Sequence, residues 1–342
     1  MADLHLDVHG ICVTLESDAQ EFLKYATGSL SHFKLDSPSD SDLDASIEVA
    51  KTSDHSGPPS DIRQLGRRIW KGDTSVYYVW NDLSFHASEN DYTIKIHASI
   101  AEAQKSRAGR LDPRYLLFNK RRIDRTLTNY LVAKRNAIDL PVLALLCGRR
   151  GNGLLHASCV EKKGHATLLV GLDGAGKSTL ARYLVDSRDF SLMSDEFTLI
   201  HPDGVSLAYP EAHRISNSGL KLLSKSQNQS EGKAWGKHLI PLDHGRVTLE
   251  AQIERVIFLS IGSESSISRI NPEIAISWLE IFDNFLGELP QYSYLAFLPF
   301  CQGLAFKNRE ALKHLFLNTE IYSLVQERGR IGTAVDLLEE TG

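Results

Sequence analysis

Hydrophobic and polar positions alternate with a period of two in short runs along 1–110: Ile11-Cys12-Val13-Thr14-Leu15, then SIEVA (46–50), TSVYYVW (74–80), LSFHAS (83–88) and YTIKIHASI (92–100). Their aromatic and β-branched content predicts an antiparallel sheet. Ser17, with Gln20 as a capping-box partner, predicts the start of a helix carrying Phe22, Leu23 and Tyr25-Ala26. The stretches DSPSDSDLD (36–44) and TSDHSGPPSD (52–61) read as polar loops. From about 117 to 138 the period becomes helical. Ile123, Leu127, Tyr130 and Leu131 share one face, and Lys120, Arg121, Arg122 and Arg125 make a solvated one. Pro141 is expected to open a second, apolar helix, LPVLALLCG. Two further core-facing helices are expected, at 273–286 (Ile274, Trp278, Ile281, Phe282, Phe285) and at 309–325 (Leu312, Leu315, Phe316, Tyr322, Val325). The predicted organisation is a small α+β domain over 1–110 and a larger α/β domain over 111–342, with the boundary around 105–116.

A length of 342 residues gives a prior of about two domains, each able to bury its own core without a staple. The four cysteines, at 12, 147, 159 and 301, form no CxxC pair. They predict buried thiols in a reducing compartment rather than a zinc site or a disulfide framework. The net charge of −5 lacks the usual electrostatic footprint of nucleic-acid binding. No apolar run reaches the ~18 residues of a membrane span, and MADLHLDVHG is unlike a signal peptide. The expectation is a cytoplasmic protein that engages neither membrane nor nucleic acid.

One segment carries explicit chemistry. Gly171-Leu172-Asp173-Gly174-Ala175-Gly176-Lys177-Ser178 is a full Walker A pattern, preceded by the apolar run ATLLV and followed by Leu180, Leu184 and Val185 at helical spacing. Glycines at 171, 174 and 176 let the backbone approach phosphate oxygens and adopt φ values closed to other residues. Loop and helix N–H groups then point at the anion. Lys177 can follow the β- and γ-phosphates, and the Ser178 hydroxyl can ligate Mg²⁺. Asp173, Ala175 and Thr179 complete the expected nucleotide contacts, with a lesser claim for Thr179.

Two neighbouring segments are expected to converge on this loop. Residues 154–170 read as a hairpin turning at Lys162-Lys163-Gly164. A turn centred near Lys163 sets His156 opposite Val170, beside the loop mouth, and implies a mixed sheet. His156 is then either a functional group or a satisfied core histidine, and the register favours the first. His165, in the turn, is expected to face solvent. After the loop helix, the run FSLMS ends in Asp195-Glu196. One helix and a return strand bring that pair back to the loop. A carboxylate there can hold Mg²⁺ or take the proton of an attacking hydroxyl. Further on, Glu211, His213 and Arg214, and Lys233 and Lys237, could line an acceptor or nucleotide pocket, or be ordinary loop charges.

HASCVEKKGHATLLVGLDGAGKSTL followed by LMSDE resembles the catalytic domain of HPr kinase/phosphorylase and its related kinases, a family sharing its core with phosphoenolpyruvate carboxykinase. The likeness is strongest over about 150–200 and looser over about 117–260. It implies a P-loop kinase core with a mixed parallel and antiparallel sheet, and ATP and Mg²⁺ as cofactors. It further implies Asp195 as general base toward an acceptor serine, Glu196 near the metal, and His156 in contact with phosphate or acceptor. Ser178-Thr179 stands where true HPr kinases carry Ser-Glu, and His244-Gly245-Arg246 only faintly echoes the later family signature. The expected activity is transfer of a γ-phosphoryl group to a hydroxyl of a protein, peptide or metabolite, with a homo-oligomer allowed. A non-catalytic nucleotide switch and a carboxykinase-like lyase are the alternatives.

Overall fold

Turn chemistry and strand alternation organise the N-terminal part. In this computed structural model the described residues are 2–37, 43–52, 58–60, 62–80, 83–90, 93–101, 126–223, 230, 232–283 and 293–341. They divide into two compact units. The first holds residues up to Arg149 with 232–235 and 290–304, and the second holds the rest.

In the first unit, β1 (Ala2–Val8) and β2 (Ile11–Ser17) form a hairpin across His9 and Gly10. Both turn residues have positive φ, 51° and 81°, which matches the twist of two antiparallel strands. β3 (Lys34–Leu35), β4 (Ala45–Thr52), β5 (Arg63–Gly66), β6 (Ile69–Lys71), β7 (Ser75–Trp80), β8 (Leu83–Asn90) and β9 (Thr93–Ala101) complete a nine-stranded sheet in the order β3-β1-β2-β4-β9-β8-β7-β6-β5. The expected strands are present, but the sheet is mixed. β2–β4 and β4–β9 are parallel, because the β2–β4 connection passes through a helix, α1 (Gln20–Ser29), instead of a tight turn. Ser17 does not cap α1. It ends β2, where its hydroxyl donates to the Val49 carbonyl at 2.6 Å and accepts from the Ala19 amide at 3.0 Å.

Residues 126–134 are α-helical, 135–139 form a π turn, and α2 (Leu140–Arg150) follows without a break. The sequence predicts two helices separated at Pro141. Proline removes the bond to the carbonyl four residues back and crowds it, and the wider π turn absorbs that crowding within one helix. The buried Lys134 and Asp139 pair across the turn at 2.7 Å. This helix groups with the first unit, and the chain passes into the second unit at Arg150. The loop segments 38–42 and 53–57, the expected boundary at 105–116, and Lys120, Arg121, Arg122, Ile123 and Arg125 lie outside the described residues.

The second unit is built on a sheet of mixed direction. Its elements are β10 (Gly153–Lys162), β11 (His165–Val170), α3 (Lys177–Ser187), β12 (Ser191–Ser194), β13 (Phe197–Ile200), β14 (Val205–Leu207), β15 (His213–Ile215) and α4 (Asn217–Leu220). After β16 (Gly232–Ala234), which belongs to the first unit, come β17 (Lys237–Ile240), β18 (Glu250–Gly262), β19 (Ser266–Arg269), α5 (Pro272–Asp283), α6 (Leu304–Leu317), β20 (Glu320–Glu327) and α7 (Ile331–Glu340). β10 is antiparallel to β11 on one edge and to β12 and β13 on the other. β11 runs parallel to β18, and β18 runs parallel to β20.

Alternation along these strands feeds two cores. Leu168, Val170, Val256 and Phe258 pack with Ala275 and Leu279 of α5 and with Leu312 and Phe316 of α6. Leu169, Ile257, Leu259 and Leu324 pack with Leu180, Ala181 and Leu184 of α3 and with Ala334, Val335 and Leu338 of α7. The second unit is therefore a mixed α/β layer structure with helices on both faces. One expected helix is partly a strand. α6 stops at Leu317, and Tyr322 and Val325 lie on β20, where Ile321, Tyr322 and Val325 supply β-prone side chains. Among the described residues, no helix is long and apolar enough to cross a membrane.

Candidate functional site

The loop between β11 and α3 is shaped by its glycines, each for a different reason. Gly174 and Gly176 take φ of 84° and 97°, values that cost a residue with a Cβ. Gly171 is instead fixed by space. A Cβ there would stand 2.8 Å from the Leu259 carbonyl oxygen of β18 and 3.0 Å from the Ala175 Cβ. The sequence reading gave Gly171 the same φ role as the others; the structure gives it a packing role. The Ala175 amide donates to the Leu172 carbonyl at 3.0 Å, and Gly176 caps α3 without a side-chain hydrogen bond. The first amides of α3 therefore point into the loop with no intrahelical partner, the arrangement that favours an anion.

Lys177 is buried, and its ammonium donates to the Gly171 carbonyl at 2.7 Å. Burial pulls its pKa below the ordinary lysine value. Glu196, then Asp173, then Asp195 oppose that shift, while Lys237 adds to it. All three acids are thus close enough to act on the loop lysine. Asp173 projects into solvent with Lys237 Nζ at 3.8 Å. Ser178 is partly exposed at the helix start, whereas Thr179 is turned into packing: a Cβ on Gly219 of α4 would lie 2.6 Å from its hydroxyl.

The hairpin forms, with a register one residue from that expected. Lys163 and Gly164 both have positive φ, 55° and 85°, so they form a two-residue turn flanked by Lys162 and His165. Ala157, not His156, therefore pairs with Val170. His156 pairs across its other edge with Phe197, which brings it beside the acidic pair: its Nδ1 is 3.7 Å from Glu196 Oε1. Burial lowers the His156 pKa to about 4, with Glu196 opposing the shift and Lys177 adding to it. The ring is neutral at pH 7 and can act as a hydrogen-bond group but not as a cation. His165 is exposed, 3.9 Å from Glu254.

Asp195 and Glu196 occupy the joint between β12 and β13, where pairing with β10 shifts register at Cys159 and Val160. Adjacent residues take different partners. Asp195 Oδ1 accepts from the Ser158 hydroxyl at 2.7 Å, and its Oδ2 lies 3.4 Å from His213 Nδ1. Glu196 forms an ion pair with Arg214. β15 thus contributes His213 and Arg214, and Glu211 lies just before it on the approach to that strand. Lys233 falls in the first unit. His244-Gly245-Arg246 is a short turn whose Arg246 donates to the Val185 carbonyl near the end of α3, a structural tie.

Three side chains near the loop carry no sequence signal of their own. Ser158 lies inside an apolar strand. Gln326 sits near the end of β20, just past the run expected to be helical. Its buried Oε1 has no hydrogen-bond partner among the described residues and would stand 3.4 Å from a Cβ on Gly176. Trp278 reads as core and packs edge-on to Phe258, with ring centroids 5.2 Å apart.

The three residues expected to hold Mg²⁺, Ser178, Asp195 and Glu196, each offer oxygen donors, the chemistry that suits a hard cation. Among the described residues, no group of three or more His, Cys, Asp or Glu could hold a metal ion by itself. Mg²⁺ commonly completes its shell with water and substrate phosphate. Compared with known protein families and with individual curated proteins, the chain matches none.

Proposed function

We propose that the second unit is a P-loop kinase core of the HPr-kinase-related type, one that binds ATP with Mg²⁺ and transfers the γ-phosphoryl group to a hydroxyl. The observation that carries this reading is Lys177, buried under its own glycine loop with Glu196, Asp173 and Asp195 acting on it. The antiparallel β10 between the loop strand and β12 supports the mixed-sheet variant that the resemblance implies.

In this reading the amides of 171–176 and the start of α3 bind the phosphates, and Lys177 leaves the Gly171 carbonyl to follow the β- and γ-oxygens. Ser178, with Asp195 or Glu196, would hold Mg²⁺, which supplies neutralisation of the charge on the transferring group. The acceptor oxygen bonds to the γ-phosphorus as the bond to the β–γ bridging oxygen breaks and ADP departs. The acceptor proton passes to Asp195 Oδ2, while Ser158 holds Oδ1 in place. Neutral His156 orients the acceptor or a phosphate oxygen. The acceptor is a serine of a protein or peptide, or a metabolite hydroxyl. Four buried free thiols support a cytoplasmic setting. Burial pushes those of Cys147 and Cys159 up to about 12, which keeps them protonated.

A second reading, a nucleotide-binding switch without transfer, is favoured by one observation: both acids are already engaged, Asp195 by Ser158 and Glu196 by Arg214. Labelled γ-phosphate transfer into a size-fractionated host-cell extract separates the two. The kinase reading expects label on a discrete protein or a small molecule. It also expects Asp195→Asn to bind ATP yet lose transfer by about 10²–10⁴-fold. Undiminished transfer in Asp195→Asn would remove the residue from the chemistry.

A further inference from the structure

A cavity of about 390 Å³ opens beside the glycine loop, walled by Leu172 and Ala175 of the loop, Phe258 and Ile261 of β18, Trp278 of α5 and Ser323 of β20. Leu172 and Ala175 lend backbone amides to the proposed phosphate site, but the side chains of these residues take no part in the phosphate chemistry above. The cavity sits where neighbouring parallel strands send their connections to opposite faces. β11 leads into α3, which packs on one core, and the chain after β18 leads to α5, which packs on the other. In open α/β sheets such a divergence at the carboxyl ends of the strands leaves a crevice that ligands use.

Its position relative to the acids decides what it can hold. Asp195 and Glu196 lie beyond β10, on one side of β11. The cavity lies on the β18 and β20 side. The glycine loop and Lys177 lie between the two. A nucleoside triphosphate can span the loop, with its terminal phosphate toward the acids and its other end in the cavity. The lining suits a flat aromatic ring more than a charged group. The indole of Trp278 stands edge-on to Phe258, and Leu172 and Ile261 are exposed apolar side chains at 52% and 43%. Apolar side chains that together line a concave cavity beside a polar loop are a recognition feature.

We propose that this cavity is the subsite for the base and ribose of the nucleotide, held by apolar and aromatic contact with Trp278, Leu172 and Ile261. This inference rests on the phosphate-binding reading of the loop, and the test separates the two. Calorimetric titrations with Mg-ATP and with Mg-tripolyphosphate compare the same phosphates with and without a nucleoside. The expected result is about tenfold or more tighter binding of ATP. Ser260→Trp fills the cavity from the exposed end of β18, and should bring ATP down to the tripolyphosphate affinity while leaving tripolyphosphate unchanged. Trp278→Leu keeps apolar packing on Phe258, removes the aromatic plane, and should cut the ATP preference several-fold. Equal affinities in the wild type, or an ATP preference that survives both substitutions, overturn the subsite. An effect of these variants on acceptor KM with the ATP preference intact also overturns it, in favour of an acceptor site. Binding of neither ligand overturns the phosphate-loop reading, and the subsite with it.

Discussion

The Ser158 hydroxyl donates to Asp195 Oδ1 at 2.7 Å, and both side chains are buried. The same hydroxyl lies 3.2 Å from the Asp195 carbonyl oxygen. Ser158 therefore fixes the joint between β12 and β13 as well as the carboxylate it carries. A buried charge with fewer hydrogen bonds is costly, so Ser158→Ala should lower stability by about 1–3 kcal/mol. It should also reduce transfer while ATP affinity stays near wild type, read by urea unfolding and by calorimetry on one preparation. A variant with full stability and full transfer would show that the bond positions nothing.

His156 should make the protein acid-sensitive in a defined window. Its folded pKa of about 4 lies below the ordinary histidine value of 6.5, so between those values the unfolded chain binds a proton that the folded chain does not. Stability is then fully present above about pH 6.5 and falls as the pH drops toward 4, by up to about 3 kcal/mol. His156→Gln should flatten unfolding free energy against pH across that interval. An unchanged slope in the variant would assign the acid sensitivity elsewhere.

Gly171→Ala should fail through packing. The new methyl meets a backbone carbonyl at 2.8 Å, which cannot rotate away, and the expected cost is about 1–3 kcal/mol with the loop displaced. Gly164→Ala supplies the contrast. Its Cβ would meet nothing within 4 Å, and its only penalty is a φ of +85°, worth about 1–2 kcal/mol. Thermal melts of both variants, with ATP titrations, check the distinction: Gly171→Ala should impair nucleotide binding, and Gly164→Ala should not.

Local chemistry made the loop readable. Glycines at 171, 174 and 176 followed by Lys177 predict a strand–loop–helix unit, and β11 and α3 flank the loop as that pattern expects. The hairpin before it was equally plain from Lys163-Gly164. Its register missed by one because a two-residue turn centres between residues, not on Lys163. What stayed hidden depends on distant partners. Nothing local says that Ser158, in the middle of an apolar strand, will meet Asp195, or that Trp278 will wall a cavity as well as a core. Tyr322 and Val325 fit helical spacing after Leu315, yet they extend beside β18 because a parallel central strand accepts an apolar run of any period. Pro141 signalled the start of a separate helix, and tertiary burial of 137–147 kept the chain in one continuous helix.

The most direct test is calorimetric titration of Mg-ATP into the wild type and Lys177→Ala. The buried ammonium, held by the Gly171 carbonyl and balanced by Glu196, Asp173 and Asp195, should be the group that gathers the phosphates. Saturable binding in the wild type, weakened at least about tenfold in the variant while its melting temperature holds, is the predicted result. No binding in the wild type, or equal affinity in the two proteins, would contradict it.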